Sequence, residues 1–444
     1  MENQFTASIW GDEGFSAILS MKSIPEIISI VARDTSPPLY NITEHLWFSV
    51  FGTSEIAIRS LSFLYYSIAI FFVFKIGEYL WNKKTGFLTA TLAFFNPFFF
   101  VYAFEGRMYS ILTLGVTASM YFFLRLIFDK KQNNKILAGY VLATTWALYS
   151  HHFAMFALFV QGAWFAFQFL GNRKKSLVIL KGFILVGILY IPWIIPLYNQ
   201  TKMVGGGFWL GKPSIRDLSN LIFNYLGNGI KHPFGNYALY AALAGLALRA
   251  WEKDIKKNLF LVSWFLVPLV TTWAISQVFT PIFFDRYLIT TIPAGMLLLG
   301  SNKRKLISNI AIVLTLGLFL IIDFHYFTHP VKRPFREFAQ VVKENLQLGD
   351  YLINWNSTSH HLWETKYYGI GGPIYISGDG ELPFFVGTAL MGPGDIIREI
   401  PEGATRVGAI TSGPVDEVVL AGYTESGTNQ VGDLKVVWLK RIKY

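Results

Sequence analysis

Residues 10–59 hold the pattern from which the rest of the chain is interpreted. They contain Trp10-Gly11-Asp12-Glu13, then Arg33-Asp34-Thr35-Ser36-Pro37-Pro38-Leu39-Tyr40, then Phe51-Gly52-Thr53-Ser54-Glu55 and Arg59. Asp12, Glu13 and Asp34 precede the first long apolar run of an aromatic-rich chain. Acidic groups at the edge of a membrane domain are costly to desolvate, so they usually have a function. The other interpretation is a solvated loop with a capping aspartate and a Pro-Pro turn.

The composition is that of an integral membrane protein. Of 444 residues, 53% are hydrophobic and only 15% are charged, whereas a soluble domain has about 25% charged residues. The net charge of +10 does not indicate nucleic-acid binding, because the basic residues form short clusters between apolar runs. The chain has no cysteine, which excludes disulfides and thiol chemistry and leaves only His and carboxylates as ligands for zinc.

Apolar runs predict ten membrane spans after residue 53. They cover residues 54–77, 86–104, 108–128, 136–150, 152–170, 176–198, 236–250, 258–279, 285–300 and 305–327. Before them, Phe15–Ala32 and Leu39–Phe51 are predicted to be amphipathic helices at the membrane surface.

Basic clusters at every second connection predict that those connections are cytoplasmic. The clusters are Lys75/Lys83/Lys84, Arg125/Lys130/Lys131/Lys135, Arg173/Lys174/Lys175, Arg249/Lys253/Lys256/Lys257 and Lys303/Arg304/Lys305. The remaining connections are then extracytoplasmic, together with residues 1–53. They hold Glu105-Gly106-Arg107, His151-His152, a long loop over residues 199–235 and Asp285-Arg286. In that loop, the glycines and aromatics of residues 204–209 suit either a gating segment or an ordinary flexible loop.

From about Pro330 the composition changes to that of a small α/β domain. The predicted elements are a helix over Phe335–Leu346, strands over Asp350–Trp355, Pro373–Ser377 and Thr405–Thr411, and a hairpin of Val418–Tyr423 with Leu434–Arg441 across Ser426-Gly427-Thr428-Asn429. The predicted domains are therefore a juxtamembrane segment (1–53) with the acidic motif, a transmembrane domain (54–329) and an extracytoplasmic α/β domain (330–444).

The combined pattern resembles the GT-C superfamily of membrane glycosyltransferases, and within it the bacterial protein O-mannosyltransferase and aminoarabinose-transferase type. The resemblance covers roughly residues 8–300. Besides the first sixty residues it is carried by Asn96-Pro97, Glu105-Gly106-Arg107-Met108-Tyr109, His151-His152 and Phe284-Asp285-Arg286-Tyr287. It implies a polytopic α-helical membrane protein. Members begin with a membrane helix that ends just before the Trp-x-Asp-Glu stretch, so we expect an eleventh helix encoded upstream of Met1.

The resemblance implies transfer of a hexosyl or pentosyl group from a polyprenyl-phosphate donor to a lipid, glycan or protein acceptor. The reaction is expected on the extracytoplasmic face of the plasma (inner) membrane, with inversion at the anomeric carbon. It needs a base for the acceptor proton, cations for the leaving phosphate and a dry pocket for the sugar. We assign no metal site, although a divalent cation bound by carboxylates would also suit this chemistry.

The resemblance places the catalytic aspartate at Asp12, with Glu105 and Asp34 as supporting catalytic carboxylates. From the residues alone, Asp34 also suits a turn-initiating role. Glu105 also suits a local ion pair with Arg107 that holds a tight turn.

Five further residues are expected to bind substrate. Arg107 and Arg286 would hold the phosphate through bidentate donors, although Arg286 also has Asp285 beside it as a partner. Glu13 would bind the sugar, orient the acceptor or only extend the acidic turn. His151 would contact substrate, and Tyr287 would line the site or anchor the chain at the membrane interface.

The main alternative is a transporter or flippase of lipid-linked or small substrates. Such a protein places ionisable or helix-breaking residues in the middle of the membrane and often shows repeats. In this chain the polar residues collect at one predicted face, and Lys181 is the clearest charged residue within a predicted span. A non-enzymatic membrane scaffold is a second alternative, but it would not need the acidic and Glu-x-Arg turns.

Overall fold

The computed structural model describes residues 2–131, 133–171, 173–248, 255–301, 306–355, 360–378 and 380–442. These residues form two compact units. The first unit combines segments 1–30, 41–58 and 329–444, and the second combines segments 31–40 and 59–328. The three-domain division drawn from the sequence remains a prediction. Arg249, Lys253 and residues 303–305 of the basic clusters lie outside the described residues.

Helices make up most of the chain. They are α1 (Gly11–Ser20), α2 (Ile24–Val31), α3 (Leu39–Phe51), α4 (Glu55–Leu80), α5 (Lys83–Phe94), α6 (Pro97–Val101), α7 (Tyr109–Phe128), α8 (Asn134–Ser150), α9 (Ala154–Gly171), α10 (Arg173–Tyr190), α11 (Ile194–Gly205), α12 (Ile215–Phe223), α13 (Gly235–Ala247), α14 (Ile255–Val278), α15 (Ile292–Leu299), α16 (Leu306–Thr328), α17 (Phe335–Asn345) and α18 (Leu362–Tyr367).

Within the described residues, six helices are long and apolar enough to cross a membrane. They are α4, α7, α9, α14, α16 and the continuous stretch Arg173–Gly205, and a seventh would be the bent pair Lys83–Phe94 and Pro97–Phe104, whose halves meet at 62°. The predicted spans 136–150, 236–250 and 285–300 correspond to the shorter helices α8, α13 and α15. Among the described residues there are therefore fewer full-length apolar helices than the ten predicted spans, because a run of apolar residues does not by itself set helix length.

Two charged residues within the apolar helices differ in burial. Lys181 is exposed on α10, whereas Asp323 is only 2% exposed within α16.

The N-terminal segment is helical, but the predicted helix Phe15–Ala32 is divided into α1 and α2. The helix over Leu39–Phe51 has the predicted limits, and Pro25 falls in the first turn of α2, where its missing N–H is tolerated. However, α1 begins at Gly11, with Trp10 as its N-cap, and not at Phe15 as predicted. Asp12 and Glu13 thus lie in the first turn of a helix, where the backbone N–H groups favour negative charge.

The predicted loop over residues 199–235 is largely helical, which corrects that expectation. Helix α11 continues to Gly205, α12 covers Ile215–Phe223, and a π-helical turn follows at Asn224–Asn228. Two stretches of this segment are without helix, residues 206–214 and residues 229–234.

A six-stranded sheet lies in the first unit, with strand order β3-β2-β1-β4-β6-β5. The strands are β1 (Tyr351–Trp355), β2 (Ile374–Tyr375), β3 (Ile396–Ile397), β4 (Arg406–Thr411), β5 (Tyr423–Val431) and β6 (Leu434–Arg441). The first four are parallel, and β6 pairs antiparallel with β4 and β5. Side chains alternate between two buried faces: Ile410, Val436 and Trp438 pack with α17, and Val407, Ala409 and Val437 form the other cluster.

The C-terminal hairpin exists, but its turn lies elsewhere than predicted. Residues 426–429 are part of β5, with a bulge between Glu425 and Gly427. The turn lies between Val431 and Leu434, where Gly432 has a φ of 63°, a conformation that favours glycine. Val418–Tyr423, predicted as the first strand, contributes only Tyr423 to the hairpin.

Candidate functional site

A rigid four-residue connection presents Glu105 and Arg107 in the second unit. The 3-10 helix Tyr102–Phe104 ends there, and α7 begins at Tyr109. The Arg107 N–H donates to the Glu105 carbonyl at 2.7 Å, and the Ser62 hydroxyl donates to the same carbonyl at 2.6 Å. These hydrogen bonds hold the backbone in place and so fix the Cα positions of Glu105 and Arg107.

Arg286 faces this connection from a distant part of the sequence. Its guanidinium lies 3.8 Å from the Glu105 carboxylate, and the two side chains are 18% and 11% exposed. The same guanidinium lies over the rings of Phe284 at 4.8 Å and Tyr109 at 5.8 Å. The neighbouring Asp285 carboxylate accepts the backbone N–H of Arg286 at 2.6 Å. Glu105 and Arg286 are therefore brought together as an ion pair between two elements.

A cavity of about 290 Å³ adjoins the connection in the same unit. Arg107, His151 and Tyr287, three of the predicted substrate-binding residues, line it. The rest of its lining is formed by Thr35, Ser36, Met108, His152, Phe153, Met155, Phe156, Leu197, Gln200, Thr201, Val204, Phe208 and Ile282. The cavity combines an apolar and aromatic wall with a cation, which suits a ligand that has both an apolar part and an anionic part.

His151 is buried in this wall and is held neutral. Its ring packs 4.9 Å from that of Tyr287, and its Nδ1 accepts the Phe153 N–H at 3.1 Å. Burial, with smaller contributions from the charges of His152 and Arg107, lowers the pKa of His151 from 6.5 to about 3. The imidazole therefore acts at neutral pH as an aromatic surface and a hydrogen-bonding group, and not as a cation.

Gln200 is a site residue that the sequence did not indicate. Its side chain is 2% exposed, and its amide oxygen accepts a hydrogen bond from His152 Nε2 at 2.7 Å. Its amide N–H₂ donates to the carbonyl of Val31 at 2.7 Å and to that of Ser36 at 3.3 Å. Gln200 thus links the cavity to the loop that carries Asp34, whose immediate neighbour Thr35 lines the cavity.

The neutral state of His151 leads to a pH-dependent stability. Between about pH 6.5 and pH 3 the unfolded chain binds a proton at His151 that the folded protein does not bind. Lowering the pH through this window should therefore destabilise the fold by about 1.4 kcal/mol per pH unit from this group. The free energy of unfolding is unaffected by this group above about pH 6.5, and it decreases as the pH falls below that value. Thermal unfolding in detergent from about pH 7 to about pH 4.5 would measure it.

The matched variant is His151→Asn, which keeps an acceptor for the Phe153 N–H. We expect its melting temperature to fall less steeply with acid than that of the wild type. Equal slopes for the two proteins would contradict a neutral buried His151.

The first unit contains Asp12 and Glu13, and their environments differ. Glu13 is fully buried, and its carboxylate accepts the Lys332 ammonium at 2.6 Å and the Trp10 N–H at 3.4 Å. Asp12, one residue earlier in the same turn, is half-buried. Glu13 thus helps to hold the start of α1, whereas the Asp12 side chain is partly exposed.

Removing the Lys332 ammonium is expected to destabilise the first unit. Lys332→Met leaves the Glu13 carboxylate buried without its cation, which typically costs about 3–5 kcal/mol. The adjacent Arg333 is the control, because it pairs with Asp433 at a surface where the two side chains are 43% and 51% exposed. Arg333→Met should cost at most about 1 kcal/mol. Thermal unfolding of both variants measures the difference. Similar losses of stability in the two variants would show that the buried Lys332–Glu13 pair contributes no more than a surface pair.

Among the residues that the structure describes, no group of three or more His, Asp or Glu side chains is arranged to hold a metal ion.

Part of the chain matches a protein family, and its fold is similar to that of solved structures. Residues 35–195 match the family model described as dolichyl-phosphate-mannose-protein mannosyltransferase. Comparison with curated protein sequences found no match. The fold is similar to the crystal structure of ArnT from Cupriavidus metallidurans in the apo state, with a TM-score of 0.69 and 12% identity over 98% of this chain and 94% of that chain.

The crystal structure of the same ArnT bound to undecaprenyl phosphate matches with a TM-score of 0.64, 12% identity and the same coverage, 98% and 94%. At this level of identity the likeness concerns the fold. Together with the family match over residues 35–195, it supports the resemblance to the GT-C superfamily that the sequence motifs carry.

Proposed function

We propose that the protein is a glycosyltransferase that moves a sugar from a polyprenyl-phosphate donor to an acceptor on the extracytoplasmic face of the plasma (inner) membrane. The observation that carries the proposal is the group around Arg286. A guanidinium paired with Glu105 and stacked on Phe284 is followed in sequence by Tyr287. Tyr287 lines the mixed apolar and cationic cavity with Arg107. The family match and the ArnT fold support the same class.

The leaving group of this reaction is a lipid phosphate. When the anomeric C–O bond breaks, negative charge develops on the phosphate oxygens, and fixed cations stabilise that charge in a site from which water is excluded. Arginine suits this task because its planar guanidinium donates two parallel hydrogen bonds to a phosphate. Arg107 and Arg286 take this role in our proposal, and Glu105 keeps Arg286 in place.

The nucleophile is a hydroxyl or amine of the acceptor. Its lone pair forms the new bond to the anomeric carbon while the bond from that carbon to the phosphate oxygen breaks, which inverts the configuration. The proton leaves the nucleophile for a carboxylate within hydrogen-bond reach. We propose Asp12 as this base, because the resemblance places the catalytic aspartate there and its side chain is half-buried and accessible. Asp34 and Glu105 are the supporting carboxylates.

The apolar wall of the cavity would exclude water from the sugar and its phosphate. His151 and Tyr287 present neutral aromatic faces in that wall, 4.9 Å apart. Neutral aromatic rings pack against the apolar face of a sugar and do not compete with the arginines for phosphate. His151 and Tyr287 thus act as binding residues in the proposal and not as proton-transfer groups.

A donor panel tests the proposal directly. The purified protein would receive polyprenyl phosphates that carry different hexoses and pentoses, with membrane extract as the source of acceptor. Acceptor-dependent loss of one lipid-linked sugar, with formation of free polyprenyl phosphate, is the expected result. Failure of the folded protein to bind any polyprenyl-phosphate compound would overturn it. Adding EDTA to an active mixture would decide whether a divalent cation takes part.

A further inference from the structure

The C-terminal residues of the first unit hold the start of α1, the helix that carries Asp12. Trp363 of α18 is the main contact. Its ring meets that of Phe15 edge to face at 5.4 Å. Gly14 approaches the Trp363 backbone so closely that a Cβ on Gly14 would lie 3.0 Å from it. Any larger residue at this position would displace Trp363, so the backbones of α1 and α18 are in close contact.

The Trp363 side chain is itself held in place by a hydrogen bond. Its indole N–H donates to the Val386 carbonyl at 3.1 Å. The next residue, Gly387, has a φ of 89°, and a Cβ there would lie 2.7 Å from the Phe15 ring. The 386–387 turn thus closes over the same two rings, and its left-handed glycine is required both by conformation and by space.

A carboxylate from α18 lies beside the first residue of α1. The Glu364 oxygens are 3.4 and 3.6 Å from the position of a Cβ on Gly11, and Glu364 is 6% exposed. A negative charge at a helix N-terminus is stabilising, because the first N–H groups of the helix are not used within it. Behind Glu364, His361 Nδ1 lies at 3.6 Å, and His361 Nε2 bonds the Ser412 hydroxyl at 3.0 Å. The carboxylate is thus held from the sheet side.

The chain immediately before α1 is pinned by the same part of the protein. The Tyr368 hydroxyl accepts the Ile9 N–H at 2.9 Å and donates to Glu55 at 2.9 Å. The Arg336 guanidinium donates to the Thr6 carbonyl at 2.6 Å and to Glu55 at 2.7 Å. Together with the Lys332–Glu13 pair, these contacts hold residues 6–15 against α17, α18 and the residues next to them.

We infer that the C-terminal α/β region positions the catalytic helix, with Trp363 and Glu364 as positioning residues for Asp12. The inference rests on the proposed role of Asp12 as the base. It gives the α/β region a task in the transfer reaction, which is to hold α1 in place. Misplacing a catalytic group by about 1 Å can cost about a hundredfold in rate, so loss of this packing should reduce kcat more than it changes the KM for the donor.

Hydrogen exchange of α1 provides a test that does not need activity. In Trp363→Leu, the amides of residues 14–20 should exchange at least about tenfold faster than in the wild type, because the helix loses its main packing partner. Trp363→Phe keeps an aromatic ring against Phe15 and should restore most of the protection. Glu364→Gln keeps the size of the side chain and should raise exchange by about twofold to fivefold at the start of the helix. Val419→Ala, at a side chain that is 72% exposed, is the control.

Kinetics then separate this inference from the proposed function. We expect kcat for sugar transfer to fall about tenfold to a hundredfold in Trp363→Leu, with the KM for the donor nearly unchanged and substantial recovery in Trp363→Phe. Unchanged exchange in α1 for both Trp363→Leu and Glu364→Gln would overturn the positioning role, even if Asp12→Asn is inactive. Faster exchange in α1 together with full activity would overturn it too, because helix placement would then not control the reaction.

Discussion

Asp12→Asn is expected to reduce the rate of sugar transfer by about 10²- to 10⁴-fold, the range for loss of a general base. Asparagine keeps the size of the side chain but cannot accept the acceptor's proton at neutral pH. The donor should bind as in the wild type, because the proposed phosphate contacts come from arginines. The measurement is the rate of polyprenyl phosphate release at saturating acceptor, with donor affinity determined separately on the same preparation.

Glu26→Gln is the matched control for this variant. Glu26 is an exposed acid in the first turn of α2, where it accepts from the backbone and hydroxyl of Ser23. The control removes one negative charge from the same unit and should leave the transfer rate unchanged. Equal turnover by Asp12→Asn and wild type would exclude Asp12 as the base, and Asp34 or Glu105 would then be tested by the same substitution.

Arg286→Lys is expected to lower kcat/KM for the donor by about 10²- to 10³-fold, the usual loss when one group that stabilises developing negative charge is removed. Lysine keeps a positive charge near Glu105, which is 3.8 Å from the guanidinium, so the ion pair need not be lost. It lacks the planar pair of donors that arginine offers to a phosphate. The effect on donor use should thus exceed the effect on stability.

Steady-state kinetics with the identified donor, and inhibition by free polyprenyl phosphate, measure this loss. Arg216→Lys is the control, because Arg216 is an exposed arginine on α12 of the same unit. A fall in kcat/KM together with weaker inhibition by polyprenyl phosphate would support the phosphate role. Normal kinetics and normal inhibition in Arg286→Lys would assign Arg286 to the structure alone.

Local sequence patterns predicted helices and strands well where the apolar residues of the pattern are also the residues that pack in the core. The helix at Leu39–Phe51 and the sheet strands at Tyr351–Trp355 and Arg406–Thr411 lie within or at the predicted limits. The hairpin register was wrong because Ser426-Gly427-Thr428-Asn429 has the composition of a turn, and composition alone does not locate one. In the structure these residues pair with β6, whose own register is set by β4.

The motif residues can be picked out from the sequence, whereas the residues that support them cannot, and the roles of all of them stay predictions. Glu105, Arg107, His151 and Tyr287 stand out because polar residues are rare between apolar runs. Gln200 and Lys332 do not stand out, since their value comes from partners far away in sequence. Gln200 bonds Val31, 169 positions earlier, and Lys332 bonds Glu13, 319 positions earlier. Such pairings depend on the tertiary fold, which no local pattern encodes.

The most direct test of the central claim is the fate of the donor in proteoliposomes. The protein would be reconstituted with the polyprenyl-phosphate sugar identified in the panel, labelled in both the sugar and the lipid, together with its acceptor. Our account predicts cleavage, with one free polyprenyl phosphate formed for each sugar that appears on the acceptor. A donor that crosses the bilayer intact, without cleavage in the presence of acceptor, would contradict the account and would show that the protein is a transporter of lipid-linked sugars.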